Sequence, residues 1–338
     1  MSQVHATPSS STLSSSTLSS STLSSSTLSS TLTNRREFVR RTAMIFAVAT
    51  GMGAVPSTVL GLDSKLGSDS QKKLSPGRLR LSLSAYSLRS LLTKPSDGMD
   101  LFQLVDYCHA HDVAGVELTS YYFPKEVTTE YLAELKYHCH RRGVTISGGA
   151  IANDFCQRDQ AKIERDIDHA IRWIDHYSFL GAPVIRIFAG TQPSDDSWDA
   201  TIQRCTTACN KLGLYAQSKG MLLGLENHGG VTAKAEGLLQ ILGGIQSKSI
   251  GVNFDSGNFR STSDPYLELE QIAPYAVNAQ LKVEMFPNGK REEADIARIL
   301  SILRTANYSG WVALEYEAEE PPLTAIPKWL EAIKKLIG

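Results

Sequence analysis

The amino-acid sequence predicts a (β/α)8 TIM barrel, a single domain spanning residues 79–338. Eight short apolar or β-branched runs each precede a longer stretch with helical spacing, and the eight units fill about 260 residues, the usual size of such a barrel. No strand is followed by a G-x-G-x-x-G turn, which weakens the alternative of an open doubly wound sheet.

Each element can be read in order. Residues 79–85, LRLSLSA, alternate apolar and polar side chains as a strand does. Leu101, Leu104, Val105 and Cys108 then fall at i, i+3, i+4 and i+7, one face of a helix. GVELT (115–119) is the second strand. Leu132, Leu135 and Cys139 mark the next helix, which should stop near Gly143. Later strands are expected in VTISGGAI from Val144, PVIRIFAG from Pro183, MLLGLE from Met221, SIGVNFD from Ser249, AVNAQLKV from Ala276 and WVALEYE from Trp311, with helical stretches between them. Residues 326–337 close the chain as a last helix.

Composition narrows the function. Lys and Arg number 34 against 35 Asp and Glu, a formal net charge of -1, so there is no basic excess of the kind a nucleic-acid surface needs. No apolar run in the body of the chain reaches the roughly 18 residues of a membrane span. The five cysteines are odd in number and form no C-x-x-C pair, which argues against zinc ribbons and disulfide scaffolds. Cys205 and Cys209 lie one helical turn apart and read as plain helix residues.

The first 78 residues read as address and linker. Residues 1–33 carry a five-residue Ser/Thr/Leu repeat, polar and too simple to build a core, and are expected to be disordered. Residues 34–61 contain the adjacent pair Arg35 and Arg36, then Phe38, an apolar run over 43–55 and Pro56. This order resembles a bacterial twin-arginine export signal, with cleavage expected between 54 and 61 and a linker over 62–78. The resemblance implies periplasmic export of a protein that folds first, often with its cofactor inserted, and no stable membrane span after cleavage. No cysteine follows the apolar run in the segment, so a lipid anchor is not expected.

In a (β/α)8 barrel the active site lies where the strands end. Glu226 ends the fifth strand, Asp255 the sixth, Gln280 lies in the seventh and Glu315 in the eighth. The spacings of 29, 25 and 35 residues each correspond to about one strand–helix unit, so the four side chains come from successive strands. A carboxylate at the end of an apolar run is costly unless it is paired or bound to a cation. Carboxylates and an amide oxygen make a hard, oxygen-rich set that suits Mn²⁺ or Mg²⁺. Glu317, two residues after Glu315, faces the same side of its strand. Asp154 and Glu117 end earlier strands and are candidates for substrate contact. His228 is the one histidine expected at a strand end. Arg186 is assigned charge balance and Lys282 a place at the mouth.

The segments GLENHGG, VNFDSGNF, QLKVE and GWVALEYE, within a region from about Leu79 to the C-terminus, resemble the xylose isomerase-like TIM barrels, and within them the sugar phosphate isomerase/epimerase group. The resemblance implies that Glu226, Asp255, Gln280 and Glu315 bind one divalent ion and that Glu226 and Glu315 act as the acid/base pair. Ketose epimerases of that group usually have His where Gln280 stands and often His where this chain has Asn258, so the particular reaction is left open. Asn258, His228, Lys282, Asp154 and Glu117 are the expected substrate-binding residues. The expected reaction is proton transfer next to a sugar carbonyl through an enediolate, isomerisation or epimerisation. The alternatives are a lyase, either a dehydratase or a 3-keto-glycoside β-eliminase, on the same barrel, or a non-catalytic exported sugar-binding protein. A related nuclease with three zinc ions would need several strand-end histidines, and only His228 qualifies. The expected partner is a small carbohydrate rather than nucleic acid, and the sequence leaves homo-oligomerisation open.

Overall fold

The protein is described by a computed structural model over residues 78–94 and 98–338. The expected repeat, export signal and linker up to residue 77 lie outside the described residues. The strands are β1 (Arg80–Ser84), β2 (Gly115–Thr119), β3 (Thr145–Ala150), β4 (Val184–Ile187), β5 (Leu222–Glu226), β6 (Ile250–Asp255), β7 (Ala276–Leu281), a small ribbon of β8 (Glu284–Met285) and β9 (Glu292–Glu293), and β10 (Trp311–Leu314). Eight of them close into one barrel in the order β1-β10-β7-β6-β5-β4-β3-β2. Every neighbouring barrel pair is parallel, and β1 meets β10 with Arg80 opposite Trp311 and Leu83 opposite Leu314. Parallel neighbours need a crossover, and here each is a helix on the outside. All eight strands read from the sequence are present, so the barrel expectation holds. The antiparallel β8–β9 ribbon is an addition the sequence reading did not anticipate.

Local chemistry sets the helix ends. Asp100 caps helix Leu101–Ala110 in a capping box with Gln103, each side chain bonding the other's backbone N–H. Helix Thr129–Arg142 stops at Gly143, which takes the left-handed conformation at φ 69°, as the sequence anticipates. Asp159 and Ser197 cap the two 21-residue helices, Gln160–Leu180 and Trp198–Ser218. Among the described residues no helix is long and apolar enough to cross a membrane.

The strands divide their side chains by face. Leu83, Val116, Leu118, Ile185, Ile187, Leu223, Leu225, Val252, Phe254, Leu281 and Leu314 are fully buried and belong to the main hydrophobic core. The polar residues between them occupy the barrel interior. Ser82 of β1 bonds Ser147 of β3 at 2.6 Å, and Glu117 of β2 bonds Asn278 and Gln280 of β7. These strands are not neighbours, so the bonds cross the lumen. An interior lined by branched apolar residues would be the usual filling; here hydrogen-bonded polar side chains replace much of it. The five cysteines are free and buried, and Cys205 and Cys209 sit on the inner face of one helix beside Cys156.

Candidate active site at the barrel mouth

A cavity of about 660 Å³ opens where the strands end. Its wall includes Glu226, Glu315, Glu317, Arg186, Lys282 and Asn258. Burial of acidic groups here is matched by two buried cations. Arg186 Nε lies 2.8 Å from Glu226 Oε2, and its Nη1 donates to the Ile151 carbonyl at 2.9 Å. Asn258 donates its amide to Glu226 Oε1 at 3.0 Å. Lys282 Nζ bonds both Glu315 and Glu317 and lies 3.3 Å from Asp255 Oδ2. Ser84 donates its hydroxyl to Glu315 Oε2 at 3.0 Å.

The surrounding loops explain the ENHGG and DSGN segments. Asn227 clamps the ends of β5 and β6: its Nδ2 donates to the Asp255 carbonyl and its Oδ1 accepts the Asp255 N–H, both at 2.9 Å. Thr232 Oγ1 donates to the Glu226 carbonyl and accepts the His228 N–H, folding the loop back onto the strand. A Cβ on Gly230 would sit 2.2 Å from the Gly190 carbonyl oxygen, so only glycine permits that close approach. Asp255 Oδ1 accepts the Gly257 N–H at 2.8 Å.

Electrostatics separate the two glutamates. Burial raises the Glu226 pKa well above the ordinary carboxylate range, and the Arg186 charge only partly opposes it. Burial also works against the Glu315 charge, but the Lys282 ammonium overrides it and lowers the Glu315 pKa. Asp255 is pushed up to about 7 by burial, against the opposing pull of Lys282. Burial opposes the charge of Arg186, yet Glu226 beside it leaves its pKa raised. The His228 ring stacks on Phe188 with centroids 4.2 Å apart. Its pKa falls to about 4 through partial burial and the Arg186 and Lys282 charges. The residue as a whole remains exposed, and the two cations lower the pKa whatever the degree of burial.

The sequence-predicted residues divide into three groups. Glu226, Glu315, His228, Lys282 and Asn258 line the main cavity, and Asp255 lies directly behind Lys282. Asp154 lines an adjoining cavity of about 330 Å³ that shares Phe188, His228 and Gly229 with the main one. Gln280 and Glu117 are inside the barrel and not on the cavity wall. They belong to a closed ring of hydrogen bonds. Gln280 Nε2 donates to Glu117 Oε1 at 2.6 Å, and Asn253 Nδ2 donates to Gln280 Oε1 at 2.6 Å. Asn278 Nδ2 completes the ring by donating to Asn253 Oδ1 at 2.7 Å and Glu117 Oε2 at 2.6 Å. Burial pushes Glu117 up to about 7, opposed in part by these amides and Arg186. The sequence reading missed Tyr86, Tyr121, Phe188 and Arg260, which also line the cavity. Phe188 was within reach, being two residues after Arg186 on one strand end; the two tyrosines sit in short 3-10 turns directly after β1 and β2, and Arg260 in the loop after β6, none with a periodic signal.

The expected four-donor metal centre does not fit this arrangement. Both ends of the Gln280 amide are committed inside the barrel. Both oxygens of Glu226 and both of Glu315 already face donors from protein side chains. Asp255 Oδ2 makes no hydrogen bond, but it faces the Lys282 ammonium. With Lys282 in place, no three His, Cys, Asp or Glu side chains among the described residues form a ready ion site.

A closed barrel with paired acids and bases at its mouth defines a (β/α)8 protein with an active-site-like cleft. The chain belongs to the xylose isomerase-like TIM barrel family, whose description matches residues 105–336. No protein of curated function matches it by sequence. Solved structures share the fold at low identity. A xylose isomerase domain protein from Planctomyces limnophilus is 16% identical with a TM-score of 0.60, covering 78% of this chain and 98% of its own. The 3-keto-D-glucoside 4-epimerase YcjR from E. coli is 13% identical with a TM-score of 0.61, covering 75% and 99%. The IOLI protein, solved with a bound zinc atom, is 16% identical with a TM-score of 0.64, covering 76% and 96%.

Proposed function

We propose that the protein is a carbohydrate isomerase or epimerase that moves a proton next to a carbonyl. The observation that carries this reading is that Glu226 and Glu315 both line one cavity, each beside its own buried cation, Arg186 for Glu226 and Lys282 for Glu315, with burial raising the pKa of the first and Lys282 lowering that of the second. Two such carboxyl groups supply an acid and a base at the same pH. Glu315, kept ionised by Lys282, removes the proton from the carbon beside the carbonyl. Glu226, whose pKa burial raises, returns one to the opposite face or the neighbouring carbon. The enediolate charge that develops is met by Lys282 and Arg186, both already in the cavity wall. His228, neutral near pH 7, offers a hydrogen bond to a sugar hydroxyl rather than a charge. Family membership and the epimerase among the fold neighbours support the substrate class.

Lyase chemistry on a keto-glycoside is the second reading. The adjoining cavity beside Asp154 supports it, because it offers space for a second sugar ring. A panel of free ketoses and 3-keto-glycosides tests both, with Glu226→Gln and Glu315→Gln as controls. Each variant is expected to lose about 100- to 10,000-fold in turnover, the usual contribution of a general acid or base. Full activity in both variants would end the proposal. Release of a free aglycone would favour the lyase.

A further inference from the structure

We propose that the ε-ammonium of Lys282 fills the cation position of this barrel mouth, so that the protein binds no divalent ion there. This rests on the site described above and not on which reaction the site performs.

Three observations build the case. First, Lys282 Nζ is placed among three carboxylates: it bonds Glu315 and Glu317 and lies 3.3 Å from Asp255 Oδ2. Its side chain is only 9% exposed, so the contacts are little screened by solvent. A divalent ion would need the same oxygens, and would stand against an ammonium already in contact with them. Second, the fold makes room for this lysine. Gly257, in the turn after β6, lies where an added Cβ would be 2.6 Å from Lys282 Cγ and 2.8 Å from its Cβ. The Lys282 N–H donates to Ser256 Oγ at 2.8 Å, fixing the start of the side chain in the same turn. The DSG segment thus supplies a carboxylate, a backbone anchor and a gap for the lysine stem. Third, the remaining donors are spent elsewhere. Arg186 and Asn258 occupy the two oxygens of Glu226, and Gln280 is locked between Glu117 and Asn253.

An ammonium and a divalent ion differ in what they offer a substrate. Lys282 can hold a sugar oxygen by a charge-assisted hydrogen bond, exchanging one carboxylate contact for it. It carries one positive charge where an ion carries two, and it is attached to the chain, so chelators cannot remove it.

The test is a titration of the full chain with MnCl2, without substrate, after dialysis against a chelator. The Mn²⁺ that remains free is read by its magnetic resonance signal. Lys282→Met removes the ammonium and leaves Asp255, Glu315 and Glu317 without their cation. This variant is expected to bind one Mn²⁺ roughly 100-fold more tightly than wild type, because stripping one partner from a buried charge cluster leaves carboxylates in strong need of another. Adding Asp255→Asn to Lys282→Met should abolish the gain, which ties it to this site rather than to the surface. Stoichiometric tight binding by the wild-type chain overturns the proposal, and so does a Lys282→Met chain that gains nothing. Should Lys282→Met fail to fold, the wild-type titration decides alone: saturable one-to-one binding refutes the proposal and its absence upholds it. Because no substrate is present, a failed sugar panel and a failed titration remain separate results.

Discussion

Glu117→Gln probes the ring inside the barrel most directly. Glu117 is fully buried, its two oxygens accept from Gln280 and Asn278, and burial raises its pKa from the ordinary 4.5 to about 7. Between those two values the folded chain keeps a proton that the unfolded chain has lost. Stability therefore falls as the pH rises through this window and levels off above about 7. At about 1.4 kcal/mol per pH unit, the rise amounts to about 3 kcal/mol of lost stability, to order of magnitude. A glutamine side chain cannot ionise, so the variant lacks this slope. It carries a different cost: one of its amide ends meets an amide donor, worth about 1–3 kcal/mol and independent of pH. Asp255, also raised to about 7, adds the same slope to both proteins and cancels in the difference. Urea unfolding at pH 5 and pH 8 gives the measurement. Relative to wild type, the variant should be less stable at pH 5 and should improve by about 3 kcal/mol on going to pH 8. A difference that stays constant with pH would show that Glu117 does not ionise in this range, and would refute the reasoning.

Two further outcomes test the placement of site residues. Gln280→Leu removes a member of the same ring and leaves Glu117 Oε1 and the Asn253 amide without partners. It should cost about 2–5 kcal/mol in urea unfolding, whereas a Gln280 that served only the cavity would lower activity and leave stability intact. His228 titrates near 4, so His228→Asn should leave the shape of the pH–rate profile between about pH 6 and 8 unchanged while altering KM. A profile that loses an inflection in this range would show that His228 ionises there.

The barrel was legible because its information is local. Apolar residues at every second position in a strand, and at three- and four-residue steps in a helix, reflect which face each element buries, and a neighbour in sequence suffices to see it. The strand ends were legible for the same reason, and with them Glu226, Asp255 and Glu315. The β8–β9 ribbon was not legible, since two strands of two residues each carry no period. Tyr86 and Tyr121, in single 3-10 turns after β1 and β2, and Arg260, in a loop, were hidden because segments this short carry no period and their course over the mouth depends on the elements they join.

Sequence by itself determined the eight strand–helix units, the glycine stop of helix Thr129–Arg142 and the gathering of acids at one end of the strands. Tertiary structure alone decided the partners of those acids. Gln280 lies in β7 and Lys282 directly past its end, two residues apart and on the same side, so nothing local separates them. Their roles diverge because closure of the barrel sets Gln280 opposite Glu117, 163 positions away in the chain, and Lys282 one step further out among Asp255, Glu315 and Glu317. A buried charge takes the counter-charge that the closed fold brings within reach, and that choice exists only once the strands have met.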